Sequence, residues 1–147
     1  MSPALASFTD AQLGDALEQC GMTAGAAQAV LRHRPFADDA ALYSAVDAVV
    51  LNLDDAELKR ALDAVPPPAA EHGHPDARTA ALLAIRLYRD RFGFAFVSGI
   101  DAPTAEELLM RVRIRLGNDP EPEGRAAREH LWRAIRARVQ AFAEHVD

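Results

Sequence analysis

Residues 77–100 read ARTAALLAIRLYRDRFGFAFVSGI, and a change of period within this stretch decides the fold. Ala80, Leu83, Ala84 and Leu87 recur at helical spacing with Leu82 and Ile85 beside them, so the first part is a helix whose wide apolar face predicts a central position. Gly93 terminates it. From Phe94 to Ile100 the residues turn β-like, but the sequence offers no second strand to pair with, and a lone strand is not stable. The run is therefore expected as extended chain inside a helical fold.

Towards the N-terminus, caps and breakers divide the chain into four further helices. Thr9 and Gln12 form a capping box, with Phe8 placed to staple onto Leu13, and Leu13, Leu17 and Cys20 line one face before Gly21 ends the helix. Thr23 caps a short second helix through Val30 and Leu31 that Pro35 closes, making an αα-hairpin. Asp38 caps a third, in which Leu42, Ala45, Val46 and Val49 form one stripe. Asp54 with Glu57 repeats the capping-box pattern, Leu53 can staple to Leu58, and a fourth helix runs through Leu62 towards Val65 and three prolines. Residues 66–76, PPPAAEHGHPD, have no periodicity and read as a loop.

Towards the C-terminus, Thr104 with Glu107 opens a helix carrying Leu108, Leu109, Val112 and Leu116 that closes at Gly117. Asn118, Asp119 and Pro120 make a turn, and a last helix runs from about Glu123 with Leu131, Ile135, Val139 and Phe142 as its stripe. All prolines fall in the N-terminal tail or between these segments. The expectation is an all-α, single-domain bundle of six to seven helices over residues 1–147, with its core over about 8–143 and a loop at 66–76.

Composition narrows the function classes. A net charge of −6, from 22 acidic against 16 basic residues, favours a small-molecule or protein partner over nucleic acid or an anionic membrane. The arginines at 111, 113, 115, 125, 128, 133, 136 and 138 are interleaved with Glu106, Glu107, Glu121, Glu123 and Glu129, as expected of ion pairs on helix surfaces. Cys20 is the single cysteine, so neither an internal disulfide nor a thiolate zinc site can form, and it reads as a small core residue. With no signal-peptide pattern and no apolar run of membrane-spanning length, a cytoplasmic location is expected.

Three stretches together resemble one family. Arg34-Pro35-Phe36, followed by Leu42, resembles the RPF segment of the 2-oxo-4-hydroxy-4-carboxy-5-ureidoimidazoline (OHCU) decarboxylases. Tyr88-Arg89-Asp90-Arg91-Phe92-Gly93-Phe94-Ala95-Phe96-Val97 is similar to that family's Y-x-x-[KR]-F-G-F-x-F-[VI] segment. Arg115-Leu116-Gly117-Asn118-Asp119 with Glu123, then Ile135 and Arg138-Val139, resembles its R-L-x-N-[DS] turn and closing arginine helix. The resemblance implies an all-α fold that usually dimerises and cofactor-free decarboxylation of the ureidoimidazoline to (S)-allantoin in urate degradation. It also implies that the backbone of Phe96, Val97 and Ser98 donates hydrogen bonds to substrate while Arg138 holds a carboxylate.

The sequence departs from the family where proton transfer is expected. Ala64-Val65-Pro66 stands in place of an Ala-His-Pro motif, the following stretch is shortened with no Ser/Thr-x-x-Glu-Gln motif, and Ile85 lies near the place of an asparagine. Glu71, His72 and His74 in the loop are the remaining candidates for a proton donor, if the loop folds back over the pocket. Two histidines so close in a loop, without a third ligand, do not amount to a metal site, and no cofactor motif is present. The alternative to the decarboxylase is a non-catalytic or repurposed relative that binds a small anion or a protein, or a different lyase acting on a related heterocyclic acid.

Overall fold

The computed structural model describes residues 5–65, 70, 72–97 and 104–145. Among these, a 3₁₀ turn at Leu5–Ser7 precedes seven α-helices: α1 (Asp10–Gln19), α2 (Ala24–Leu31), α3 (Asp39–Leu51), α4 (Asp55–Ala64), α5 (Pro75–Phe92), α6 (Ala105–Leu116) and α7 (Pro120–Glu144). The fold is all-α.

Local chemistry sets the helix starts. Thr9, Thr23, Asp38, Asp54 and Thr104 each accept a hydrogen bond from a backbone amide three residues on, satisfying a donor that the helix leaves open. The reciprocal box forms at Thr9 and Gln12. At Thr104 the expected return from Glu107 is replaced, because its carboxylate pairs with Arg111 one turn on, at 2.6 Å. The last helix begins at Pro120, earlier than the turn expected there, since proline at the first helical position loses no intrahelical hydrogen bond.

Two cores form. The larger joins α1, α2, α3 and α4 to the inner stripe of α7, with Leu13, Leu17, Val30, Leu42, Val46, Leu62, Leu131, Ile135 and Val139 buried. The smaller lies between α5 and α6, around Ala81, Ala84, Tyr88, Leu108 and Val112. Residues 95–97 have neither helix nor strand assignment, as expected of extended chain, and they stitch the cores together: the Phe96 side chain enters the smaller core and that of Val97 the larger.

The face of α5 departs from expectation. Leu82, Leu83 and Leu87 are 62%, 54% and 58% exposed, while Ala81, Ala84 and Tyr88 are buried. The helix is therefore not central. It lies alongside α6 in the same direction, His74 at its start bonding Glu106 at the start of α6 and Arg91 at its end bonding the Asn118 carbonyl just past α6, and Met110 and Ile114 of α6 also face outwards.

Several arginines act as struts. Arg34 of the RPF segment bonds Asp10 at 2.8 Å and the carbonyl of Ala6 at 3.1 Å, fastening the N-terminal turn. Asp47 on α3 receives Trp132 and Arg136 of α7, both at 2.6 Å. Surface pairs run along the helices at Arg111–Glu107, Arg125–Glu121 and Arg133–Glu129, the expected pattern. Arg115 and Glu123 break it, because both are buried and face each other across the fold.

Candidate functional site

The Tyr88–Val97 stretch changes period at Gly93. Tyr88 and Phe92 are one helical turn apart on α5, and beyond Gly93 the aromatics alternate at Phe94 and Phe96. Both periods converge on the Tyr88 ring, whose centroid lies 4.7 Å from that of Phe92, 5.9 Å from Phe94 and 5.1 Å from Phe96. Edge-on and tilted contacts of this kind suit the quadrupole of the rings.

The polar end of Tyr88 meets a buried ionic cluster. Its hydroxyl donates to Glu123 Oε2 at 2.8 Å, and Arg115 Nε reaches both Glu123 oxygens at 3.0 and 3.1 Å. Arg115 Nη2 donates to the Tyr88 hydroxyl at 3.1 Å, Asn118 Nδ2 donates to Glu123 at 3.2 Å, and Arg115 Nη1 donates to the carbonyl of Val97. The Arg115 guanidinium also lies 4.4 Å from the Phe96 ring centroid. Burial pushes the Tyr88 phenol well above its ordinary range, with Arg115 opposing that rise and Glu123 adding to it. Burying an unpaired charge is costly, so this set survives in the interior because each member is paired.

The extended segment leaves donors unused. The amide of Ala95 donates to Asp63 at 3.0 Å, and the Val97 carbonyl is held by Arg115. Phe96 and Val97 are buried, at 2% and 4% exposure, yet their own amides have no hydrogen-bond partner among the described residues. Buried backbone donors are rarely left so, which makes them available to a ligand or to water. Ser98 and Glu71 lie outside the described residues.

Arg138 sits on α7 one position before Val139 of the larger core, and its guanidinium extends over the α1–α2 turn. Gly21 in that turn has φ +100°, and a β-carbon there would stand 2.9 Å from Arg138 Nη1. Arg138 is exposed and has no ion-pair partner among the described residues. It lies close enough to Cys20 to pull the thiol down, but burial wins and pushes Cys20 up to about 11. A planar guanidinium with no carboxylate partner among the described residues suits bidentate capture of an external one.

Val65 closes α4 with extended backbone ahead of Pro66 and is buried in the same core as Val97. An aliphatic side chain there moves no proton. The loop histidines lie elsewhere: His74 caps α5, its Nδ1 accepting the amide of Asp76 at 3.1 Å and its own amide donating to Glu106 at 2.9 Å. The carbonyl of His72 accepts the amide of Ala105 at 2.8 Å. Gly73 between them is required, since a β-carbon would stand 2.5 Å from Glu106 Oε2 and 2.8 Å from the Ala105 nitrogen. This end of the loop is docked on α6, whereas Arg138 meets the α1–α2 turn, so the two groups contact different elements.

Against known proteins, residues 69–140 match the family model described as OHCU decarboxylase. Over 53 residues the chain is 40% identical to the 2-oxo-4-hydroxy-4-carboxy-5-ureidoimidazoline decarboxylase of Amia calva, covering 36% of this chain and 30% of that protein. Together these matches support the OHCU decarboxylase family for this chain. Its fold matches a solved structure described as (S)-allantoin synthase, with a TM-score of 0.79 at 20% identity over 93% of this chain. The chain spans about half of that synthase, 52%, and a smaller share of the Amia calva decarboxylase. Within the family segment, Tyr88, Phe96, Arg115, Asn118 and Glu123 are the residues that build the buried cluster. Sequence reasoning missed this role for Arg115 and Glu123 by treating them as surface charges; the signal available was their place beside Asn118 in one quoted motif.

Proposed function

We propose that the chain binds a small heterocyclic carboxylate and decarboxylates it as the OHCU decarboxylases do, releasing (S)-allantoin from the ureidoimidazoline in urate degradation. The observation that carries this reading is the pair of buried, unpaired amides at Phe96 and Val97. Such donors, fixed before the ligand arrives, stabilise negative charge as it develops on a carbonyl oxygen or ring nitrogen. Arg138 supplies the carboxylate anchor. With the ring held by the backbone and the carboxylate by the guanidinium, the breaking C–C bond can be set perpendicular to the π system that receives its electron pair. Carbon dioxide leaves, and a proton is delivered to one face of the carbon.

Val65 supports a second reading, in which the pocket binds the carboxylate but turnover is slow or lost, since acid–base groups typically contribute about 10²–10⁴-fold each. A circular-dichroism time course on freshly generated ureidoimidazoline separates the two. Faster appearance of (S)-allantoin establishes the decarboxylase; a trace matching spontaneous decay, together with saturable binding, establishes the second reading.

The exposed leucines of α5 favour pairing with a second copy of the chain. Leu83 and Leu87 are one helical turn apart, and Met110 and Ile114 on α6 repeat that spacing, giving apolar surface suited to a helix-on-helix interface. The reaction itself calls on no cofactor, and a cytoplasmic setting suits a diffusible purine-derived acid.

A further inference from the structure

We infer that Arg115 is a positioning residue for the ligand-binding backbone, aiming the Phe96–Val97 segment by holding the Val97 carbonyl. The inference rests on the reading of that segment as the substrate-binding backbone. Arg115 is 8% exposed and uses its planar fork in two directions at once: Nε and Nη2 engage Glu123, Nη2 also meets the Tyr88 hydroxyl, and Nη1 takes Val97. The Phe96 ring lies against the guanidinium at 4.4 Å. Glu123, which is fully buried, is gripped by donors from three residues, Tyr88 on α5, Arg115 on α6 and Asn118 in the turn before α7. Glu123 therefore cannot swing, and neither can the arginine it holds.

An ion pair alone needs no contact with Val97. The Val97 carbonyl lies in the peptide plane that follows Val97, so holding it orients that plane and restrains the Val97 torsions that set the amides before it. The segment is pinned at its other end by Asp63, which accepts the Ala95 amide at 3.0 Å. The two unpaired amides lie between these pins. Only a fork reaches both a carboxylate and a carbonyl; lysine keeps the charge and loses one of the two directions.

The test compares Arg115→Lys with Asp47→Asn, which weakens the α3–α7 contact at a site that does not touch the segment. Both proteins are measured for melting temperature, for kcat and KM on the ureidoimidazoline, and for the carbonyl ¹³C resonance of Val97. Arg115→Lys is expected to shift that resonance and lower kcat/KM about a hundredfold, the scale of a misplacement near 1 Å. Asp47→Asn is expected to lower the melting temperature while leaving both other readouts near wild type. If Arg115→Lys does not fold, Tyr88→Phe, which removes only the bridging hydroxyl, is read in the same way with a smaller effect. An unmoved Val97 resonance, or a kcat/KM loss no larger than that of Asp47→Asn, overturns the inference. A wild type with no turnover overturns the proposed function instead, and the Val97 resonance still decides whether Arg115 aims the segment.

Discussion

Arg138 Nη1 occupies the space that a side chain on residue 21 would need, 2.9 Å from where a Gly21 β-carbon would stand. The α1–α2 turn and Arg138 are thus fitted to each other. Gly21→Ala is expected to lose about 1–2 kcal/mol of stability, because the turn holds φ +100°. It is also expected to displace the guanidinium and weaken carboxylate binding. Chemical denaturation and a binding titration read the two effects separately; unchanged affinity in a destabilised variant would detach the turn from the site.

Arg138 itself is exposed and makes no ion pair among the described residues, so its removal costs the fold little. Arg138→Gln is expected to keep the wild-type melting temperature and to lower affinity for the substrate carboxylate by about ten- to a hundredfold, the worth of hydrogen bonds to a charged group. An equal affinity in the variant would move the carboxylate elsewhere.

Position 65 offers a gain-of-function test. Val65→His places an imidazole at the buried end of α4, in the core that also holds Val97. If proton delivery limits turnover, the rate should rise by about 10²-fold or more. A rate at or below wild type would show that the proton arrives by another route.

The fold was largely legible because its starts and stops are local events. Thr9, Thr23, Asp38, Asp54 and Thr104 cap helices wherever they occur ahead of an apolar stripe, and the reading needs only the next few residues. The face of α5 was not legible. Leu82, Leu83 and Leu87 outrank Ala81, Ala84 and Tyr88 in apolar character, yet the latter face the core because small residues let α6 approach and the Tyr88 hydroxyl has buried partners. Pattern alone cannot tell which apolar face meets the core when the partner lies 30 residues away. The same limit hid Glu123, which resembles any first-turn glutamate until Arg115 and Tyr88 are brought to it by the fold.

Alkaline pH should unfold the protein by a defined route. Burial raises the Cys20 thiol from 9.0 to about 11 and raises the Tyr88 phenol as well. Between pH 9 and 11 the unfolded chain therefore releases protons that the folded chain retains, and stability falls as pH rises. Urea midpoints at pH 8 and 10.5 should show the decline, with a shallower slope for Cys20→Ala. Identical slopes would mean that the thiol ionises alike in both states.

The outer face of the α5–α6 pair gives a prediction on assembly. Leu83→Glu together with Leu87→Glu should convert a dimer to a monomer in sedimentation velocity while leaving the helical content unchanged, because both side chains already face outwards. A wild type that sediments as a monomer at all concentrations would contradict the pairing.

We propose that Arg138 and the Phe96–Val97 amides act together on a ureidoimidazoline carboxylate. The most direct measurement is the initial rate of (S)-allantoin formation from fresh substrate, followed by circular dichroism, with wild-type protein and with Arg138→Gln side by side. Wild type is expected to accelerate the reaction over spontaneous decay, and the variant to run at least about tenfold slower, in line with the loss of charged hydrogen bonds. Traces from both proteins that coincide with spontaneous decay would contradict it.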